Sequence, residues 1–519
     1  MQYLAHYGKT GGIYLGAHDP KASTKRFHVE TVHGMLQITP EFIIPDKTRS
    51  ANDWAMPGVI ELDVFTGDWY DAAMIYREWA SRSAEYWPQM GDARLKRQQQ
   101  LGQIGVWQYY AAAPDHPIER IEQEMQDYID YFAGVPVGIH WYRWNGKAHD
   151  EDYPHYFPER SGMISLVNRL QASGKAFIMP YINGRLYDTN LPDYAINGYP
   201  YATTNSLGEI HSQDFNGNHF AVMCPTQKPW QTNISNTASQ LTRRIGSAGV
   251  YIDQVAAAGP IECMHPDHEH PLGGGHWWRE GYNQMFAQIH TEIPEGKFIV
   301  VEGGNDFIAN QVDGFLTDGW NTNNLVPAFQ AIYSGRVQLI GKRTGTGEYT
   351  KPAYYAKLAQ AFVQGIQPGR TSSWIIADPN ARDQAAPFVR QLATLRFKLR
   401  DFLSFGRLKK PLRLDGNIPD ITSTWYDFGK PVEVTVSAIQ TGTFQNKEKN
   451  AVALVFINAS ITDNIAFDFD FNGELYGLSG ELTLQELSEN SLATPLPVNN
   501  SFRHSTTLPP LAVSAFIIE

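Results

Sequence analysis

From about residue 103 the chain repeats one unit, a short apolar run, a polar turn and a helical pattern, and that alternation admits few folds. The runs are Ile104 to Tyr109, Val137 to Trp144, Ala176 to Asn183, Gly249 to Asp253 and Phe298 to Glu302, with helices predicted near 117–132, 162–173 and 230–247. Their β-branched and aromatic residues follow one another without a polar alternation, as expected of strands buried on both faces of a parallel sheet. Gly314 to Thr317, Ala328 to Ile332 and Phe362 to Ile366 are read as the sixth, seventh and eighth strands, although the link from sixth to seventh is too short for an ordinary helix. Right-handed crossovers then close an α/β protein of the TIM-like (β/α)8 barrel type over residues 103–405.

The flanks read differently. Residues 1–66 alternate β-rich runs with Gly, Pro and Asp turns and are predicted to be an N-terminal β-sheet segment, part of a β-sandwich. Residues 67–102 hold a linking helix, with Asp68 as its cap and Ala72, Ile75, Tyr76, Trp79 and Ala80 on its apolar face. Over 406–519 the helical signal fades. Runs such as Val432 to Val436, Ala451 to Ile457 and Ala512 to Ile518 predict a C-terminal β-sandwich that packs against the barrel.

Barrel chemistry sits at the C-terminal ends of the strands, and two of these strands end in carboxylates, Asp253 and Glu302. Paired carboxyl groups suit glycoside cleavage, one attacking the sugar or activating water while the other protonates the departing oxygen. Polar and aromatic residues at other strand ends, Tyr109, Trp144, Asn183, Arg185, Asp306 and Asp318, mark a candidate rim. The loop 263–276 holds His265, His268, His270 and His276 beside Cys263, donors that zinc accepts, but their spacing matches no closed zinc motif, and no metal or cofactor is assigned. The 13 Trp and 26 Tyr exceed what a core requires and suit sugar faces. A net charge of −12 without a basic cluster argues against nucleic acid. Two cysteines cannot frame a disulfide scaffold, and free thiols are expected. Neither a signal peptide nor a membrane span is recognisable, so a cytoplasmic or periplasmic protein without a membrane partner is expected; the oligomeric state stays open, a homodimer included.

The set Met223-Cys224-Pro225, Tyr251-Ile252-Asp253-Gln254, the loop from Cys263 to Gly275 with its His268-Glu269-His270-Pro271-Leu272-Gly273-Gly274-Gly275 core, and Val301-Glu302-Gly303 resembles bacterial barrel glycosidases of glycoside hydrolase family 129, related to family 101. Segments 11–20 and 69–79 are similar to the stretches leading into that barrel, so the resemblance spans most of 10–410. It implies a retaining exo-α-glycosidase with Asp253 as nucleophile and Glu302 as acid/base. The implied substrate is an oligosaccharide with an α-galactose-type sugar, either an α-N-acetylgalactosaminide or a 3,6-anhydrogalactoside of carrageenan. It also implies a larger N-terminal sandwich than residues 1–66 supply. His140, Trp144, Arg185, His265, His270, Trp278 and Asp306 are the candidates for holding the sugar. Two alternatives are a non-catalytic carbohydrate-binding barrel and a zinc-dependent hydrolase built on the histidine-rich loop.

Overall fold

Barrel strands form where the β-branched and aromatic runs fall, because a central parallel strand is covered on both faces. The computed structural model, which describes residues 1–519 apart from 49, 321–323, 343, 345–347 and 428, sets eight such strands side by side. They are β1 (Val106–Ala111), β2 (Val137–Tyr142), β3 (Ala176–Asn183), β4 (Gly249–Asp253), β5 (Phe298–Glu302), β6 (Gly314–Leu316), β7 (Gln338–Ile340) and β8, in two parts (Ile366–Gln367 and Gly369–Thr371). Successive strands pair in parallel. All residues of β2 and β3 are buried.

The ring closes through β8. Its first part pairs with β7 and its second with β1. Pro368 divides the two, since it cannot donate to a ladder, and its carbonyl accepts from Trp107 N at 2.9 Å. A side chain at Gly369, which has φ +117°, would collide with the backbone of Trp107, so this close approach requires glycine.

The expected seventh strand is a helix, and the expected eighth, Phe362 to Ile366, starts in a helix and meets β8 only at Ile366. Ala328–Tyr333 is helical with every residue buried, and Phe362 belongs to the helix Pro352–Val363, of which only Pro352 escapes burial. A helix buried on every side lacks the regular polar stripe of a surface helix, so its sequence reads as a buried strand. The strands β7 and β8 are brief and carry Gln, Gly, Pro and Arg, which hid them. The short link between the expected sixth and seventh strands is thereby explained, because Ala328–Tyr333 is itself part of the crossover.

The other helices follow their patterns: Ile118–Tyr131, Met163–Gln171 and Lys228–Ser239, the last extended by a π-helical turn over Gln240–Arg244. Asp68 caps Trp69–Ser83 in a capping box: its Oδ1 accepts from Tyr70 N at 3.0 Å, and Asp71 Oδ2 accepts from Asp68 N at 2.9 Å. Before this helix, Tyr3–Tyr7, Gly11–His18 and Val59–Thr66 form an antiparallel sheet, and Lys25–Val32 with Met35–Phe42 a ribbon. Beyond residue 406, antiparallel sheets of six and three strands enclose a core that includes Phe456, Phe467, Phe469 and Phe516. Among the described residues, no helix is long and apolar enough to cross a membrane.

Candidate active site

In the β4–β5 ladder Ile252 pairs with Val301, so the next residues, Asp253 and Glu302, stand side by side at the strand ends. Parallel neighbours run about 4.8 Å apart, which brings the two carboxyl groups close enough to influence each other's charge. Alternation along β4 turns Tyr251 and Asp253 to one face, and the Tyr251 hydroxyl donates to Asp253 Oδ1 at 3.1 Å. From β3, the Tyr181 hydroxyl donates to Oδ2 at 2.8 Å.

Burial raises both carboxyl groups, since the charged form is the one that desolvation penalises. On Asp253 the two phenol donors oppose that rise. Glu302, beside the Asp253 charge as well as buried, is pushed up to about 9. Within the pair this setting favours the proton on Glu302, while the two phenol donors favour the anion on Asp253.

The pair faces a cavity of about 1220 Å³ lined by Tyr109, Tyr142, His149, Tyr251 and Trp374 among others. Opposite, Arg370 Nη1 lies 2.5 Å from Asp318 Oδ1, and Nη2 donates to the Tyr142 hydroxyl at 3.1 Å. Its guanidinium sits over the rings of Tyr109 and Tyr142, 5.0 and 5.7 Å from their centroids. Burial alone would lower the Arg370 pKa, but Asp318 and the phenols reverse the shift and keep the group charged. At this end of the barrel Arg143, Gln254 and Arg370 are among the non-glycine residues that take left-handed backbone, with φ of 54°, 64° and 54°. Gln254 directly follows Asp253, so the chain turns sharply where the carboxylate must face the cavity.

Of the residues expected from the sequence, Asp253, Glu302, Tyr109 and Asp318 line the cavity, and the candidates for holding the sugar do not. His140 lies beneath, fully buried and packed on Tyr142 and Tyr251 at centroid distances of 4.5 and 4.3 Å, and burial holds its pKa well below the usual value. Trp144 donates from Nε1 to the Tyr181 carbonyl at 2.8 Å, and Arg185 Nη1 donates to Gln213 Oε1 at 2.8 Å. Trp278 is buried against Tyr282. Asp306 points away from the cavity and accepts from the hydroxyls of Tyr76 and Tyr333 at 2.7 and 2.9 Å. His265 and His270 stack on His268 and Trp277 inside the loop. Past a strand end the period-2 rule no longer fixes which way a side chain points, so Trp144, Arg185, Trp278 and Asp306 carry no directional signal in the sequence. That rule does hold within β4 and would have marked Tyr251. For Arg370 no comparable signal exists, because β8 is too short.

The carboxyl pair gives a pH prediction. The acid is present below the raised pKa of Glu302 and lost above it, so kcat/KM should fall as pH rises through about 9. It should also fall at low pH as Asp253 takes up a proton. A pH–rate profile whose alkaline limb instead sits near ~4.3, the value of an ordinary glutamate, would contradict this proton placement.

Fold and site together define a closed (β/α)8 barrel with a carboxyl pair at its mouth. Residues 54–344 match a family model described as a domain of unknown function, DUF6259, and the chain belongs to that family. It is 26% identical over 574 aligned positions to a Monosiga brevicollis protein named "Putative glycoside hydrolase 22789", covering 96% of this chain and 47% of that protein. A second relative, "Putative glycoside hydrolase" of Bacteroides thetaiotaomicron, is 24% identical, with 81% of this chain and 62% of that protein covered. The chain thus spans roughly half to three fifths of these relatives' lengths. In fold it is similar to the α-N-acetylgalactosaminidase NagBb of Bifidobacterium bifidum, with a TM-score of 0.60 at 14% identity, over 88% of this chain and 73% of the other. An α-galactosidase of Geobacillus stearothermophilus gives a TM-score of 0.54 at 10% identity, over 100% and 69% of the two chains.

Proposed function

We propose that the protein is a glycoside hydrolase that cleaves an α-linked galactose-type sugar with retention of configuration. The observation that carries this reading is the carboxyl pair, side by side at the ends of adjacent strands and facing one cavity, with burial and the neighbouring Asp253 favouring the proton on Glu302. In a retaining enzyme the two carboxyl groups stand close, because no water has to fit between nucleophile and sugar. Asp253 attacks the anomeric carbon as Glu302 Oε–H protonates the departing oxygen. In the second half Glu302, now a carboxylate, takes a proton from water, which displaces Asp253 and returns the enzyme to its starting state.

Tyr181 and Tyr251 hold the Asp253 carboxylate on both oxygens, which fixes its aim and keeps it anionic in a buried setting. Tyr109 and Trp374, the latter 62% exposed, offer ring faces to the C–H faces of a sugar. The names of the relatives and of NagBb support the class and the galactose-type sugar. Kinship with glycoside hydrolase family 129 belongs to the same proposal.

The lining favours one of the two substrates that the resemblance implies. With Glu302 protonated, it carries Glu124, Asp127, Asp130, Asp253 and Asp318 against Arg120 and Arg370. A wall of that sign repels the sulfate groups of carrageenan fragments and admits a neutral N-acetylgalactosaminide. The test is a panel of aryl α-glycosides with neutral and sulfated oligosaccharides. Release of N-acetylgalactosamine or galactose is the expected result, and no turnover across the panel would count against the reading.

A further inference from the structure

Cys224, Cys263, His268 and His270 come together although the sequence separates them. Cys224 lies 39 residues before Cys263 (263 − 224), which is why the loop 263–276 alone showed no closed metal motif. Backbone bonds from Cys224 N to the Tyr201 carbonyl (2.9 Å) and from Met264 N to the Thr204 carbonyl (2.8 Å) tie both thiol-bearing segments to the stretch 201–204. One donor atom from each of the four residues, two sulfurs and two ring nitrogens, then lies within 4.8 Å of every other. Three of the four side chains are buried and His270 is half-buried.

The protonation of each ring is fixed by its outer partner. His268 Nε2 faces the Pro200 carbonyl at 3.1 Å, so Nε2 carries the hydrogen and the bare Nδ1 faces Cys263 Sγ at 3.4 Å. His270 Nδ1 faces the Pro271 carbonyl at 2.9 Å, which leaves Nε2 bare; it is buried without a hydrogen-bond partner. Stacking of His268 on His265 (4.1 Å) and of His270 on Trp277 (3.8 Å) locks both rings. The Thr226 hydroxyl lies 3.1 Å from Cys224 Sγ, placed to donate to a thiolate. Tetrahedral zinc, with Zn–S about 2.3 Å and Zn–N about 2.0–2.1 Å, sets sulfur and nitrogen ligands roughly 3.6 Å apart. The Cys263–His268 separation of 3.4 Å is close to that edge.

We propose that Cys224, Cys263, His268 and His270 bind one zinc ion in a closed structural site. Two thiolates and two imidazoles in a tetrahedral cluster suit zinc above the other common divalent ions. With four protein ligands no coordination position is left for water, and none of the four residues lines the cavity. A closed site of this kind would be structural rather than hydrolytic, in place of the expectation that the chain holds no metal. The ion would fasten the rim loop that follows β4 to the segment ending at Cys224. Through the bonds of Gly274 N and Gly275 N to the Ile44 and Ile43 carbonyls it would steady the N-terminal region as well.

The test uses the whole chain, expressed with zinc in the medium and desalted. Elemental mass spectrometry should find about one zinc per chain, released by an organomercurial thiol reagent and detected with a zinc-binding dye. Cobalt substitution should give the thiolate charge-transfer and strong d–d bands of a tetrahedral site. Cys224→Ser and His270→Ala should lose the ion, whereas His265→Ala, which removes only a stacked neighbour, should keep it. Chelation should lower the Tm and added zinc should restore it. If the ligand variants fail to fold, the wild-type zinc content and the cobalt spectrum decide. A folded wild-type protein that holds no zinc and, after reduction, binds no cobalt overturns the proposal, and so does a Cys224–Cys263 disulfide that takes up no metal once reduced.

Discussion

Asp253→Asn is expected to lower kcat/KM by about 10⁴-fold or more while the protein folds as before. An amide cannot form the glycosyl ester, so the loss falls on the first chemical step. Folding should survive because the Asn side-chain oxygen can still accept from one of the two phenols that bracket the carboxylate, Tyr181 at 2.8 Å and Tyr251 at 3.1 Å. The variant also removes the charge that helps to hold Glu302 at about 9, so Glu302 should titrate at lower pH in its background. Kinetics on an aryl glycoside, with circular dichroism as the folding control, measure this. Wild-type turnover in a properly folded Asp253→Asn would remove Asp253 as the nucleophile.

Glu302→Ala should separate the two roles by leaving group. On a substrate whose departing group is a sugar hydroxyl, the loss should be on the order of 10²–10⁴-fold, the contribution of a positioned proton donor. Glycosylation of an activated aryl or fluoride glycoside should be slowed far less, because its departing group needs little protonation. The second step then limits, since the base is missing. Azide, an anion that needs no deprotonation, should rescue it and yield a glycosyl azide of unchanged anomeric configuration. Asp253 variants should show neither the leaving-group dependence nor that product. Equal losses on both substrate types without an azide product would exclude Glu302, and Asp318, which also lines the cavity, would be the next carboxylate to test.

The two carboxylates were legible because each ends a continuous apolar run, and a barrel strand announces itself by that run. Legibility failed where length or composition removed the signal. The strand Gln338–Ile340 is three residues long, and Ile366–Thr371 is broken by Pro368, so two buried helices of stronger apolar character took their places in the reading. Among the site residues, the histidines, tryptophans, Arg185 and Asp306 have sugar-binding chemistry and lie near strand ends in the sequence. The structure turns them into supports: His140 beneath Tyr251, Trp144 on the β3 backbone, and Asp306 under the linking helix. Arg370 and the Cys224–Cys263 approach depend on chain closure over long separations, which no local pattern records.

The stereochemistry of the first product tests the account most directly. With Asp253 and Glu302 side by side at the ends of β4 and β5, ¹H NMR of an α-glycoside during its first turnovers should show the α-anomer released before mutarotation. Release of the β-anomer first would mean a single displacement by water and would contradict the covalent intermediate on Asp253.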